Sequence, residues 1–142
     1  MNLKIIKNKI ASLNLIDNNI FKNYKLRKND ICKTNNGYLI VVYFTYVFLF
    51  DSNLNIDKYN HLDCELWEIY NVQKDYYLIY GEMDVYKIDN NLNVIFQVGA
   101  QDVLYNPDVK KSFILNEDNF EIYDFLGNHF IYNFDGLEIK NN

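Results

Sequence analysis

The sequence predicts an all-β protein: an antiparallel meander of about four hairpin repeats in a small propeller-like or sandwich arrangement. Three observations carry that expectation. Aromatic residues make up 17% of the chain, with 13 Tyr and 10 Phe against one Pro and five Gly, a mixture that suits pleated sheets and argues against disorder. The longest apolar run, Tyr38 to Phe50, is rich in β-branched and aromatic residues and far short of the roughly 20 residues that a spanning helix needs. An Asp-led motif recurs along the chain at Asp17, Asp51, Asp89 and Asp124.

At 142 residues and 49% hydrophobic, the chain is expected to form one domain over residues 1–142. Residues 1–24 read two ways. Leu3, Ile6, Ile10 and Leu13 have helical spacing, whereas the alternation at Leu13 and Leu15 suits a first hairpin. Asn, Ile, Lys and Tyr enriched together are what an AT-rich coding sequence produces, so asparagine by itself marks no turn.

The motif is clearest in two places. Phe48-Leu49-Phe50-Asp51-Ser52-Asn53-Leu54-Asn55-Ile56 matches Tyr86-Lys87-Ile88-Asp89-Asn90-Asn91-Leu92-Asn93-Val94 position by position. Glu121 to Asn128 and Leu13 to Ile20 are fainter copies. Each reads as an apolar strand, an Asp-led turn and a second strand, because an Asp carboxylate can accept backbone N–H groups just ahead of it. Upstream strands end at breaks: Phe44-Thr45, Gly81-Glu82 and Asn116-Glu117-Asp118. The apolar run therefore divides into two strands. Units of about 35 residues cannot bury a face alone and stack or ring together; at that length three strands fit more comfortably than the four of a propeller blade.

Residues 81–96, from Gly81 through the Asp89 turn to Phe96, resemble the repeat of quinoprotein-type β-propellers. The similarity is closer to small bacterial β proteins in which such a unit precedes a Gly-x-x-Asp-Ile/Val stretch, here Gly99-Ala100-Gln101-Asp102-Val103, and a final hairpin like Glu121 to Phe134. Some proteins of that kind are suspected immunity factors encoded beside toxins, which implies a protein-binding role. Phe96 stands where the propeller repeat carries Trp, and three or four units cannot make an enzyme ring. Quinone binding and dehydrogenase activity are not carried over, and no cofactor is expected.

Charge divides sharply along the chain. Residues 1–33 hold eight basic and two acidic residues, whereas residues 34–142 hold 17 acidic and six basic ones, which together give the net −5. An acidic body disfavours nucleic acid and favours a basic protein partner. Lys22, Lys25, Arg27 and Lys28 around Tyr24 are the one stretch suited to direct nucleic-acid contact. The expected partner-binding surface is Glu65, Trp67 and Glu68, joined by Glu82 and Asp84 from a turn and by Asp102. On a regular strand Trp67 would share its face with Glu65 and Ile69.

No catalytic or metal site is expected. His61 and Cys64 are close in sequence, but a nucleophile and its base are paired in space. Asp51 and Asp89 open calcium-loop-like stretches that lack the central glycine and closing glutamate. Glu82, Asp84, Asp102 and Glu117 would need to converge for glycoside hydrolysis. Cys32 and Cys64 lack metal-ligand or disulfide-framework spacing, and Lys4, Lys7 and Lys9 interrupt the apolar N-terminus, so cytoplasmic residence without a membrane span is expected. The function anticipated is an immunity-type inhibitor that occludes a basic toxin or nuclease. The alternatives are a phage-encoded inhibitor of an RNA-guided nuclease, of the anti-CRISPR kind, and a small carbohydrate- or ligand-binding module with Tyr and Trp around a pocket.

Overall fold

A computed structural model describes residues 2–139. Two helices, α1 (Leu3–Ser12) and α2 (Asn18–Asn23), and a 3₁₀ turn (Lys28–Asp30) precede three antiparallel sheets. The first sheet is β1 (Ile31–Lys33), β2 (Leu39–Tyr43), β3 (Tyr46–Phe50) and β4 (Ile56–His61), paired in chain order. The second is β5 (Leu66–Gln73), β6 (Tyr76–Gly81), β7 (Asp84–Asp89) and β8 (Val94–Gly99). The third is β9 (Phe113–Leu115), β10 (Asn119–Tyr123) and β11 (His129–Asn133), with a single bridge from Tyr132 to Glu138 beyond it. Consecutive up-and-down sheets packed face to face make the protein an all-β, propeller-like assembly.

The layers explain the apolar runs. Along β2, Ile40 and Val42 meet Ile69, Tyr77, Ile79, Tyr86 and Ile88 of the second sheet. Leu39, Val41 and Tyr43 face the other way, onto Ile6 and Ile10 of α1. A strand covered on both faces has no polar side to alternate with, hence the continuous hydrophobic sequence. The second sheet is covered twice as well: Leu78, Tyr80 and Val85 pack against Phe113, Phe120 and Ile122 of the third. Alternation along β7 points Lys87 toward the third sheet. Its Nζ donates to Gln73 Oε1 at 2.7 Å and to the Phe134 carbonyl at 2.6 Å, and lies 4.7 Å from the Tyr76 ring centroid.

The predicted breaks fall where expected. Phe44-Thr45 forms the two-residue turn between β2 and β3, with Phe44 at φ 55°, and the other two breaks separate β6 from β7 and β9 from β10. The first two sheets hold four strands each, one more than the repeat length suggested. Short turns make room for the extra strand.

The Asp-led turns share one hydrogen-bond plan. The Asp51 N–H donates to the Asn55 carbonyl at 2.8 Å, the Leu54 N–H donates back to the Asp51 carbonyl at 3.0 Å, and the Asp51 carboxylate accepts from the Asn53 and Asn55 N–H groups. Asp89 repeats every one of these bonds. At Asp124, both backbone bonds recur and the carboxylate takes the Asn128 N–H at 2.8 Å. Two further copies were hidden by their leading residues: Thr34 opens the turn to Tyr38, and Asn133 opens the one to Leu137. In all five the fourth residue has positive φ: Gly37, Leu54, Leu92, Gly127 and Gly136.

The N-terminal copy of the motif is not a hairpin. Asp17 uses the same short-range bond, accepting the Asn19 N–H at 2.8 Å, but as the N-cap of α2. The segment instead forms α1 and α2 with a turn between them, and its apolar side chains cover the first sheet. Tyr43 fastens that cover, its hydroxyl lying 2.7 Å from the Tyr24 carbonyl and 3.2 Å from that of Phe21. Tyr43→Phe is expected to lose about 1–2 kcal/mol in thermal unfolding. Hydrogen exchange should quicken first in the helix pair, and unchanged protection there would contradict this role.

Candidate binding groove

A groove runs along β5 between the N-terminal segment and the loop that leads to the third sheet. Its largest cavity, about 510 Å³, is lined by Arg27, Asn29, Trp67, Glu68, Tyr80, Val103 and Tyr105. A second of about 330 Å³ continues past Trp67 to Tyr24, Lys25 and Glu65, and a third of about 200 Å³ continues past Glu68 to Tyr70 and Lys111. Trp67 and Arg27 join the first to the second, and Glu68 and Tyr80 join the first to the third.

Trp67 stands at the centre because β5 bulges there. The register with β6 runs Leu66 to Gly81 and then Glu68 to Tyr80, so Trp67 is the extra residue. The bulge returns both Leu66 and Ile69 to the core against the first sheet, while Trp67 packs edge-on to Tyr80 with ring centroids 5.1 Å apart. Ile69 therefore does not share the face of Trp67, contrary to simple alternation. Gly81 permits the close approach at the start of β5: an added Cβ would lie 2.9 Å from both Cys64 Sγ and the Glu65 carbonyl oxygen.

The loop wall is firmly tied. The Leu104 N–H donates to the Glu82 carbonyl at 2.7 Å, the Tyr80 hydroxyl donates to the Leu104 carbonyl, and the Phe125 N–H donates to the Val103 carbonyl at 2.8 Å. Leu104 is buried beneath, leaving its neighbour Tyr105 52% exposed at the rim. Phe125 and Leu126 at the next turn are also exposed.

Electrostatics in the groove are mixed. Burial pushes the Tyr80 and Tyr70 hydroxyls above their ordinary range, and the nearby Glu68 carboxylate adds to it. Burial and then Glu65 do the same to Tyr24, whose hydroxyl lies 3.3 Å from the Leu66 carbonyl oxygen. Lys25 and Arg27 line the same groove, so the basic N-terminal stretch and the acidic strand, separate in sequence, lie side by side in space. Lys22 lies on α2 and Lys28 in the 3₁₀ turn, both exposed.

Of the predicted surface, Glu65, Trp67 and Glu68 come together. Glu82 touches the groove only through its backbone, its N–H donating to the Glu65 carbonyl at 2.8 Å. The Asp84 carboxylate is held instead by Gln97 at 2.9 Å, a side chain that also reaches Asp63. Asp102 accepts from the Val103 N–H at 2.7 Å. Arg27, Asn29, Val103 and Tyr105 were not singled out as contact residues with Trp67, because only the fold brings their segments beside it. His61 and Cys64 have different partners: His61 bonds Thr45 and stacks on Tyr46, while buried Cys64 lies against the Tyr86 hydroxyl. Both cysteines are free thiols. No helix among the described residues is long and apolar enough to cross a membrane.

The fold and groove define a three-sheet antiparallel β-repeat protein with an aromatic cleft along one strand. No family model matches the chain, and no curated protein matches it. Among solved structures it is similar to Kluyveromyces lactis Hsv2, at 13% identity and a TM-score of 0.46, over 83% of this chain and 36% of that one. A second structure of that protein, with a complete loop 6CD, is similar at 13% identity and a TM-score of 0.45. The chain thus spans about a third of the length of those proteins.

Proposed function

We propose that the protein is a non-catalytic, inhibitor-type binding module that captures a projecting segment of a partner protein in the groove at Trp67. The observation that carries this reading is the aromatic cleft with exposed Tyr105 in its lining, next to a turn, hydrogen-bonded to Val103 through Phe125, that exposes Phe125 and Leu126. Apolar surface of that kind extends contact beyond what a small molecule covers, and Trp and Tyr in a cleft are the residue types that dominate protein interfaces. Occlusion follows when the captured segment belongs to the partner's working cleft, as a toxin- or nuclease-directed inhibitor requires. Because Lys25 and Arg27 share the groove with Glu65 and Glu68, capture rests on aromatic burial before net charge.

Immobilised protein and its Trp67→Ala variant, exposed to lysate from the source cells, test the reading. Removing an interface anchor costs about 2 kcal/mol or more, so a protein retained by the wild type should be lost from the variant. Retention of the same set by both would refute capture at Trp67. The ring of Trp67, Tyr80 and Tyr105 also favours a second reading, a small-ligand module, which predicts saturable glycan binding with no protein retained.

A further inference from the structure

We propose that the main cavity takes a cationic side chain of the partner, an arginine or lysine, against Glu68, an assignment that rests on the groove being the capture site. Glu68 lines both the 510 Å³ cavity and its extension toward Tyr70, and it is half-buried between aromatic walls. No cation among the described residues forms an ion pair with it. The one contact of salt-bridge geometry among the described residues joins His129 to Glu121 on the third sheet. The neighbours of Glu68 are instead the hydroxyls of Tyr70 and Tyr80 and a second carboxylate, that of Asp30.

A carboxylate on an aromatic wall with no paired cation leaves its oxygens free to take a charge-assisted hydrogen bond from a cation arriving from outside. The walls suit such a guest. Trp67 and Tyr80 meet edge-on across 5.1 Å, and Tyr105 stands exposed beside them, so a guanidinium or ammonium entering here meets aromatic surface and a carboxylate together. Arg27 also lines the cavity. It is exposed to solvent, however, and its charge also acts on the buried Asp30 carboxylate, whose pKa burial raises and Arg27 only partly brings back down. Lys111, at the far end, is likewise exposed. Neither forms an ion pair with Glu68.

Trp67 is the only tryptophan in the chain, so its emission reports this cavity alone. N-acetyl-arginine methylamide and its neutral isostere, N-acetyl-citrulline methylamide, should be titrated against the intact protein. Blocked arginine is expected to shift the emission saturably and to bind about tenfold or more tightly than citrulline, the difference that a cation–π contact plus a charge-assisted hydrogen bond supplies. Glu68→Gln should erase that preference while leaving the weak citrulline response in place. Equal binding of the two probes, no response to either, or a preference that survives in Glu68→Gln would each overturn the assignment. A partner lost from Trp67→Ala but retained by Glu68→Gln would keep the groove reading and reject the cation. A partner retained by Trp67→Ala would reject the groove itself.

Discussion

Replacing Phe120 with alanine is expected to destabilise the protein by about 3–5 kcal/mol, the usual cost of emptying a buried phenylalanine site. Phe120 is fully buried where the third sheet meets the second, and its ring lies 6.3 Å from Phe96, 6.0 Å from Phe113 and 5.6 Å from Tyr132. A cavity there cannot close easily, because its neighbours are rings held on three different strands and collapse would require the sheets to move. The third sheet also carries the turn that fastens Val103, so the loss reaches the groove wall. Urea unfolding followed by far-ultraviolet circular dichroism measures the effect. A loss below about 1 kcal/mol would show that this layer does not behave as a packed core.

Asp124→Ala is expected to cost about 3 kcal/mol or more, well beyond the roughly 1–2 kcal/mol expected of Asp51→Ala or Asp89→Ala. The three aspartates hold the same turn, but only Asp124 is fully buried. Its carboxylate accepts from the Asn128 N–H at 2.8 Å, the Asn128 side chain at 2.9 Å and the Gln101 N–H at 3.4 Å, so truncation leaves buried donors unpaired. Burial alone would raise its pKa. The hydrogen bonds from Asn128, Gln101 and Leu126 outweigh burial and hold it below the usual carboxylate range. A carboxyl whose folded pKa lies below its unfolded value stabilises above the unfolded pKa, about 3.9, and loses that contribution as pH falls through the folded value. Stability of the wild type should therefore decline on acidification below about pH 4, and Asp124→Ala should flatten that decline. An unchanged acid limb in the variant would assign the loss to other carboxylates, Glu121 first among them, since Asn116 and His129 hold its pKa down too.

The strands and their breaks were legible because they depend on local chemistry. A run buried on both faces has to be apolar throughout, and the Phe44-Thr45 break could be found by aligning the units. The same locality misled at Asp17, where an Asp-to-i+2 bond starts a helix as readily as a turn. What distinguishes the two is the cover that Ile6 and Ile10 provide for the first sheet, a tertiary fact. Thr34 and Asn133 escaped notice because a hydroxyl or an amide oxygen accepts the same N–H groups as a carboxylate; the glycines at 37 and 136 were the available signal. Trp67, Glu65 and Glu68 were legible as an unusual aromatic and acidic cluster. The bulge that sets Trp67 and Glu68 together and returns Ile69 to the core was not, since it arises from the register between β5 and β6. Nor could charge counting along the chain show that Lys25 and Arg27 fold back beside those acids.

Capture at the groove is tested most directly by a photo-crosslinking residue, p-benzoylphenylalanine, placed at position 105 on the cavity rim or at position 59. Tyr59 is 47% exposed, comparable to Tyr105, but sits on β4 of the first sheet, away from the groove. Irradiation in source-cell lysate should join one partner protein to the position-105 variant and leave the position-59 variant unlinked. A partner joined through position 59 and not through position 105 would contradict capture in the groove.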